Sequence, residues 1–324
     1  MPRVTKYTAA QSIGRRAAVA PSALALITVV LTVTAGCQSS QQFARSSQQS
    51  APSSQSSPPS PVEVPFTGLT NPQGVAVDAA SDLYVTSGFK SQVLRLAAGS
   101  DTPSVLPFTG LDWPVGVAVD TAGNVYVTDS HNNRGLTLPA GSNAQVELPF
   151  TGLEDPNGVA VDTGGNVYVS DNHLPPGSAL NRVLKLPAGS NAQVELPFTG
   201  LGGPVGVAVD SAGNVYVTER TLGQVLKLPV GSNAQVELPF TGLEDPKGMA
   251  VDTAGNVYII DNTPPSYGSY GRVLKLPAGS NAQVELPFTG LQAPDGVAVD
   301  SAGNVYITDG ESGDISRVLK LPAR

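Results

Sequence analysis

His131 and His173 are the only histidines in the chain, and each stands two residues after an aspartate, in "DSH" and "DNH". An imidazole near a carboxylate is well suited to taking and returning a proton close to neutral pH. That is the acid–base chemistry on offer, the kind a lyase or lactonase uses. No third histidine joins the pair and no serine sits in a nucleophile motif, so the set stops short of a triad. Phe89, Trp113, Tyr267 and Tyr270 suit another task, because aromatic side chains on loops over a rigid scaffold anchor ligands. Carboxylates also recur: Asp78, Asp120, Asp162, Asp210, Asp252 and Asp300 form one series. Asp129, Asp171, Glu219, Asp261 and Asp309 form a second, with Ser87 in the first place. Single acids separated by a whole repeat give no metal-ligand spacing. Turn capping is therefore their expected role, and no metal or cofactor is expected.

The elements that position these residues are internal repeats. A Pro-x-Gly element recurs at Pro72, Pro114, Pro156, Pro204, Pro246 and Pro294, at spacings of 42, 42, 48, 42 and 48 residues. Each unit holds four strand-like runs, such as "VGVAVD", "VYVTE", "QVLKLPVGSN" and "AQVELPFTGL" between residues 204 and 243. The turn "SAGN" joins the first two runs, with Gly213 at a left-handed position and Asp210 bonding across it. Four short strands in about 42 residues is the period of a propeller blade. Side-chain size agrees: Gly, Ala and Val fill the first strand, while Leu238 and Phe240 occupy the fourth. Narrow inner strands and bulky outer ones fit blades that converge on an axis.

Labelled a to d from axis to rim, the array reads d, five complete abcd units, then abc. Residues 62–67 supply the outer strand missing from the last unit, so Val62–Phe66 pairs alongside Val318–Leu321. Closure of this kind removes exposed sheet edges. The expected fold is all-β, a six-bladed β-propeller of four-stranded antiparallel blades, with the ring closed by the N-terminal strand.

Strand alternation places the d–a and b–c loops on one face and the a–b and c–d turns on the other. The turns hardly change after the first blade, whereas the loops vary. Both six-residue insertions, in "NHLPPGSALN" and "NTPPSYGSYG", fall in b–c loops, as do both histidines. The loop face is therefore the expected ligand-binding face.

Thirty-five Gly, 28 Pro and 14% charged residues also suit a turn-rich β protein. Residues 1–60 hold five bases and no acid, which leaves 18 − 5 = 13 bases against 26 acids in the body, a net of −13. Such a body repels phosphate backbones, so no nucleic-acid partner is expected. Residues 1–36 read as an export signal: a basic start, then 20 apolar residues. Ala35 and Gly36 precede Cys37, the only cysteine. This resembles a bacterial lipobox, which implies lipidation of Cys37, although Thr34 departs from the usual pattern. Retention as an uncleaved membrane anchor is the alternative. Residues 37–61, rich in Ser, Gln and Pro, read as a disordered tether, and 62–324 as the propeller.

The phrase "P-x-GVAVD-x-AGNVYVTD…RVLKL" resembles the NHL-repeat propellers. With "LPFTGL" before it, the phrase is similar to the extracellular sensor of mycobacterial D-type receptor serine/threonine kinases. Neither a glycine-rich ATP loop nor H-R-D nor D-F-G is present. The resemblance implies an extracytoplasmic ligand-binding module; a monomeric propeller held at the cell membrane by the lipid on Cys37 is expected. The leading expectation is a binding protein without catalytic activity that captures a protein, peptide or glycan at Phe89, Trp113, His131, His173, Tyr267 and Tyr270. The alternatives are a small-molecule lyase or lactonase, and a structural scaffold lipoprotein of the envelope.

Overall fold

The computed structural model describes residues 59–172, 181–262, 271–310 and 315–323. The signal segment, Cys37 and nearly all of the tether lie outside the described residues. The remaining body forms six four-stranded sheets. Blade 3 is representative, with strand a at Pro156–Val161, b at Val167–Asp171, c at Arg182–Leu186 and d at Val194–Glu195. All its neighbouring strands pair antiparallel.

Blade 6 is assembled from both ends of the body. Its a, b and c strands are Pro294–Val299, Val305–Asp309 and Arg317–Leu321, and its d strand is Val62–Val64. Val62 pairs with Lys320 and Val64 with Val318. The expected closure is observed.

Burial is greatest at strand b and falls toward the rim. Every residue of every b strand is buried, because both faces pack against adjoining blades. The two-residue d strands are exposed, and their shortness blunts the outer edge. Strands a surround an axial cavity of about 220 Å³ walled by Val75–Val77 and its counterparts in the other five blades. Glycine is required at the third position of strand a. A Cβ on Gly206 would lie 2.7 Å from the Lys247 carbonyl oxygen of the next blade.

Two polar locks join adjacent blades. Near the axis, a hydroxyl on strand b receives the glycine amide of its own blade and donates to a carbonyl of the next. Thr218 Oγ1 accepts from Gly206 N at 2.8 Å and donates to Lys247 O at 2.6 Å. Thr86, Thr128, Ser170 and Thr308 do the same. At the rim, a glutamine preceding strand d clamps the backbone of the previous blade's "PFTG" turn. Gln235 Oε1 accepts from Thr199 N at 2.8 Å, and its Nε2 donates to Thr199 O at 2.9 Å. Gln145, Gln193 and Gln283 repeat the clamp.

The a–b turns behave as expected. Gly213 has φ +85°. Asp210 Oδ1 accepts the amides of Ala212 and Asn214, while Oδ2 accepts Asn214 Nδ2 and the Tyr216 hydroxyl. Every lone pair has a use, so this series caps turns. Blade 1 substitutes Asp82 for the asparagine and Arg95 for the usual lysine, and these two pair with each other.

Candidate functional site

The second acid series is structural as well. Asp129, Asp171, Asp261 and Asp309 are fully buried at the end of strand b. In each, Oδ1 accepts a backbone amide from the preceding d–a loop: Asp112 N for Asp129, Gln292 N for Asp309. Oδ2 accepts the arginine that opens strand c: Arg134, Arg182, Arg272 or Arg317. Glu219 likewise accepts the d–a loop amide of Gly202, and caps the amides of Thr221 and Leu222 in place of an arginine. In blade 1, Ser87 exchanges hydrogen bonds with the backbone of Thr70. Only these two blades, 1 and 4, carry glutamine (Gln92, Gln224) where the others carry arginine.

Three of the expected loop-face residues come together. The Phe89 and Trp113 rings meet edge to face at 5.0 Å. Trp113 and His131 stack at 5.3 Å with their planes 13° apart. His131 Nδ1 lies 3.4 Å from Asp112 Oδ1. The backbone sets this geometry: Trp113 holds φ +57°, and its carbonyl accepts Ser130 N at 3.2 Å while that of Asp112 accepts His131 N at 3.2 Å. His173, Tyr267 and Tyr270 lie outside the described residues, as do both loop insertions. The contrast between varied loops and uniform turns has a partly structural origin. The c–d segments end in the clamping glutamines, so their sameness follows from packing between blades.

A second group went unremarked in the sequence. The residue between Pro and Gly in strand a is Gln73, Val115, Asn157, Val205, Lys247 or Asp295. Each precedes the axial cavity's wall by two residues, which puts all six around its loop-face mouth. Lys247 and Asp295 are therefore neighbours there, on blades 5 and 6. Lys247 Nζ is 3.6 Å from Asp245 Oδ2, and Arg220 Nε is 2.9 Å from Asp245 Oδ1. The Arg220 contact is an ion pair without hydrogen-bond alignment, and Asp245 Oδ1 is buried with no aligned donor among the described residues. The side-chain oxygens of Asn172, on blade 3, and Asn262, on blade 5, are also buried with no donor among the described residues. Burial pushes the Asp295 carboxyl up; Lys247 and Arg220 pull it down and Asp245 pushes it further up, and the rise wins. A carboxyl raised between cations beside an axial cavity is a candidate proton-transfer group. The signal in the sequence was that single variable position within otherwise copied strands.

Among the described residues no group of three or more His, Cys, Asp or Glu is placed to hold a metal ion. None of their helices is long and apolar enough to cross a membrane.

A search of curated proteins finds no sequence match. A family model, the NHL repeat, matches residues 111–134. Among solved structures, a gluconolactonase from Xanthomonas campestris is similar at TM-score 0.64 and 18% identity, covering 80% of this chain and 88% of that one. A streptogramin B lyase is similar at 0.59 and 14%, covering 82% and 98%. The virginiamycin B lyase of Staphylococcus aureus is similar at 0.57 and 11%, covering 82% and 99%. At these identities the likeness shows the fold. These similar propellers are lactonases and lyases, which runs against the expectation of a protein without catalytic activity and against the expected likeness to kinase sensors. The chain is a six-bladed β-propeller bearing an NHL repeat at residues 111–134, similar in fold to those enzymes.

Proposed function

We propose that the protein is a propeller enzyme acting on a small molecule at the loop-face mouth of its axial cavity, with chemistry of the lyase or lactonase kind. The observation that carries this reading is the placement of Lys247 and Asp295 at equivalent positions of adjacent blades around that mouth, with the Asp295 carboxyl raised. A raised carboxyl accepts a proton from a substrate carbon or from an attacking water. The adjacent ammonium stabilises negative charge that develops on a substrate oxygen. The side-chain oxygen of Asn262, on blade 5, offers an acceptor to a substrate hydroxyl or amide group. The Phe89–Trp113–His131 stack gives an apolar wall for a ring, and His131, oriented by Asp112, is a second proton carrier.

Supporting grounds are the raised carboxyl beside the axial cavity and the lactonase and lyase folds of the similar structures. The test is turnover of gluconolactone and of streptogramin B by the purified protein. Asp295→Asn should lower kcat by about 10²-fold or more. Ser190→Ala, on the opposite face, should leave it unchanged. A protein that turns over neither compound, or that keeps its rate in Asp295→Asn, defeats the reading.

In the same reading the enzyme works outside the cell membrane, tethered through a lipid on Cys37. The mass of the mature N-terminal peptide tests that attachment.

A further inference from the structure

We propose that the six joints between blades are unequal, and that the disc opens first at the joint between blades 5 and 6. Three observations meet there. The axial hydroxyl lock is missing, because strand b of blade 5 (Val257–Asp261) carries Ile260 where the other blades carry Thr or Ser. Ile260 is fully buried in an apolar cluster with Phe288, Val297 and Ile307. It packs across the joint but cannot bridge Gly248 N to Asp295 O. The rim clamp is missing too, since the position matching the clamping glutamine is Pro61, which leaves Thr289 without one. A cavity of about 420 Å³ also opens between the same two blades. Tyr258, Lys275 and Leu286 wall it on one side, and Val305, Leu321 and Pro59 on the other. It lies where blade 6, built from both ends of the body, has no continuous c–d turn.

No other joint combines these losses. The four joints from blade 1 to blade 5 each have both locks. The joint between blades 6 and 1 lacks the clamp, with Pro103 at the glutamine position, but keeps the Thr308 bridge to Gln73. With both locks gone, what holds blade 6 to blade 5 is non-directional apolar contact, the bond from Arg317 Nη2 to Gly290 O at 2.7 Å that three other joints share, one from Asn262 Nδ2 to Pro294 O at 3.0 Å, and the attraction of Lys247 for Asp295. Directional bonds fix two surfaces in a single register, whereas apolar contact permits sliding and parting at lower cost. Local opening concentrates where buried contacts and protected backbone bonds are fewest. Separation of these blades also pulls Lys247 away from Asp295. The joint thus controls the geometry of the loop-face mouth whatever chemistry occurs there.

Native-state hydrogen exchange on the full chain tests this, read peptide by peptide by mass spectrometry. The amides of blade 6, in 62–64, 294–299 and 317–321, should exchange about tenfold faster than their counterparts in blades 2 to 4. Ile260→Thr combined with Pro61→Gln restores both locks with residues the other blades use. It should slow exchange in blade 6 toward the common rate and leave blades 2 to 4 unchanged. Pro61→Gln alone, at the exposed rim, gives the same readout if the buried substitution disturbs folding. Equal exchange in all blades overturns the proposal. So does fastest exchange at another joint, or blade 6 exchange that neither variant slows.

Discussion

Arg272 Nη2 lies 2.8 Å from Asp261 Oδ2, and the same guanidinium donates to the carbonyl of Gly242. One arginine thus ties the end of strand b to the start of strand c and to the incoming d–a loop. The arrangement recurs at Asp129–Arg134, Asp171–Arg182 and Asp309–Arg317. Removing the carboxylate of Asp261 leaves a half-buried cation and two loop amides unpaired. Asp261→Ala should cost about 3 kcal/mol in urea unfolding. Asp112→Ala, on the exposed loop, should cost less than about 0.5 kcal/mol.

Gly206→Ala tests the axial packing. The new Cβ would meet the Lys247 carbonyl at 2.7 Å and the Met249 amide at 3.0 Å, both backbone atoms of the next blade. Neither can move without parting two blades, so a loss of about 3 kcal/mol is expected in the same assay. Gly141→Ala has free space around it but sits at φ +71°. It should cost only the left-handed backbone strain, about 1 kcal/mol.

The capped turns set the pH limits of the fold. Burial pushes the Asp210 carboxyl up, but hydrogen bonds from Asn214, Tyr216 and the Ala212 amide outweigh it and hold the group below its ordinary 3.8. Asp120, Asp162, Asp252 and Asp300 are lowered in the same way. A lowered folded value adds stability above the ordinary value, and this is lost as pH falls through the folded one. The urea midpoint should therefore stay level down to about pH 5 and drop below about pH 4. At the other extreme, burial and then the bond to Asp120 push Tyr126 up to about 12. Its contribution is complete below the ordinary 10.0 and disappears as pH rises through 12. Tyrosinate absorbance should show the capped tyrosines ionising only as the protein unfolds.

Trp113 combines a functional position with a strained backbone. It is the chain's only tryptophan and holds φ +57°, where glycine is at ease. Trp113→Gly should leave the melting temperature within about 3 °C of the parent, because relief of strain offsets lost packing. Substrate binding at the mouth should quench Trp113 emission in the parent. Binding in the variant, measured calorimetrically, should weaken about tenfold or more.

Repetition made the fold legible. The orphan outer strand at residues 62–67 and the missing one after Leu321 could be matched because five complete units showed what a unit contains. The same repetition hid the Lys247–Asp295 pair. The two residues lie 295 − 247 = 48 apart in sequence, and only the curvature of the ring brings equivalent positions of adjacent blades to one mouth. The rim clamps were hidden by the opposite effect. A glutamine copied in four of the six blades gave no signal until its partner threonine, 36 or 42 residues away, was in view. Phe89, Trp113 and His131 were found by their departure from the pattern, and departure is what repeated sequence displays most clearly.

The pairing of Val62 with Lys320 spans 320 − 62 = 258 residues. During synthesis, the first strand of the body leaves the ribosome long before its partner exists. At about 5–20 residues per second the wait is roughly 10–50 s. An exposed β segment must stay unpaired through that interval, and a nascent chain halted before Arg317 has no strand with which to finish the circle.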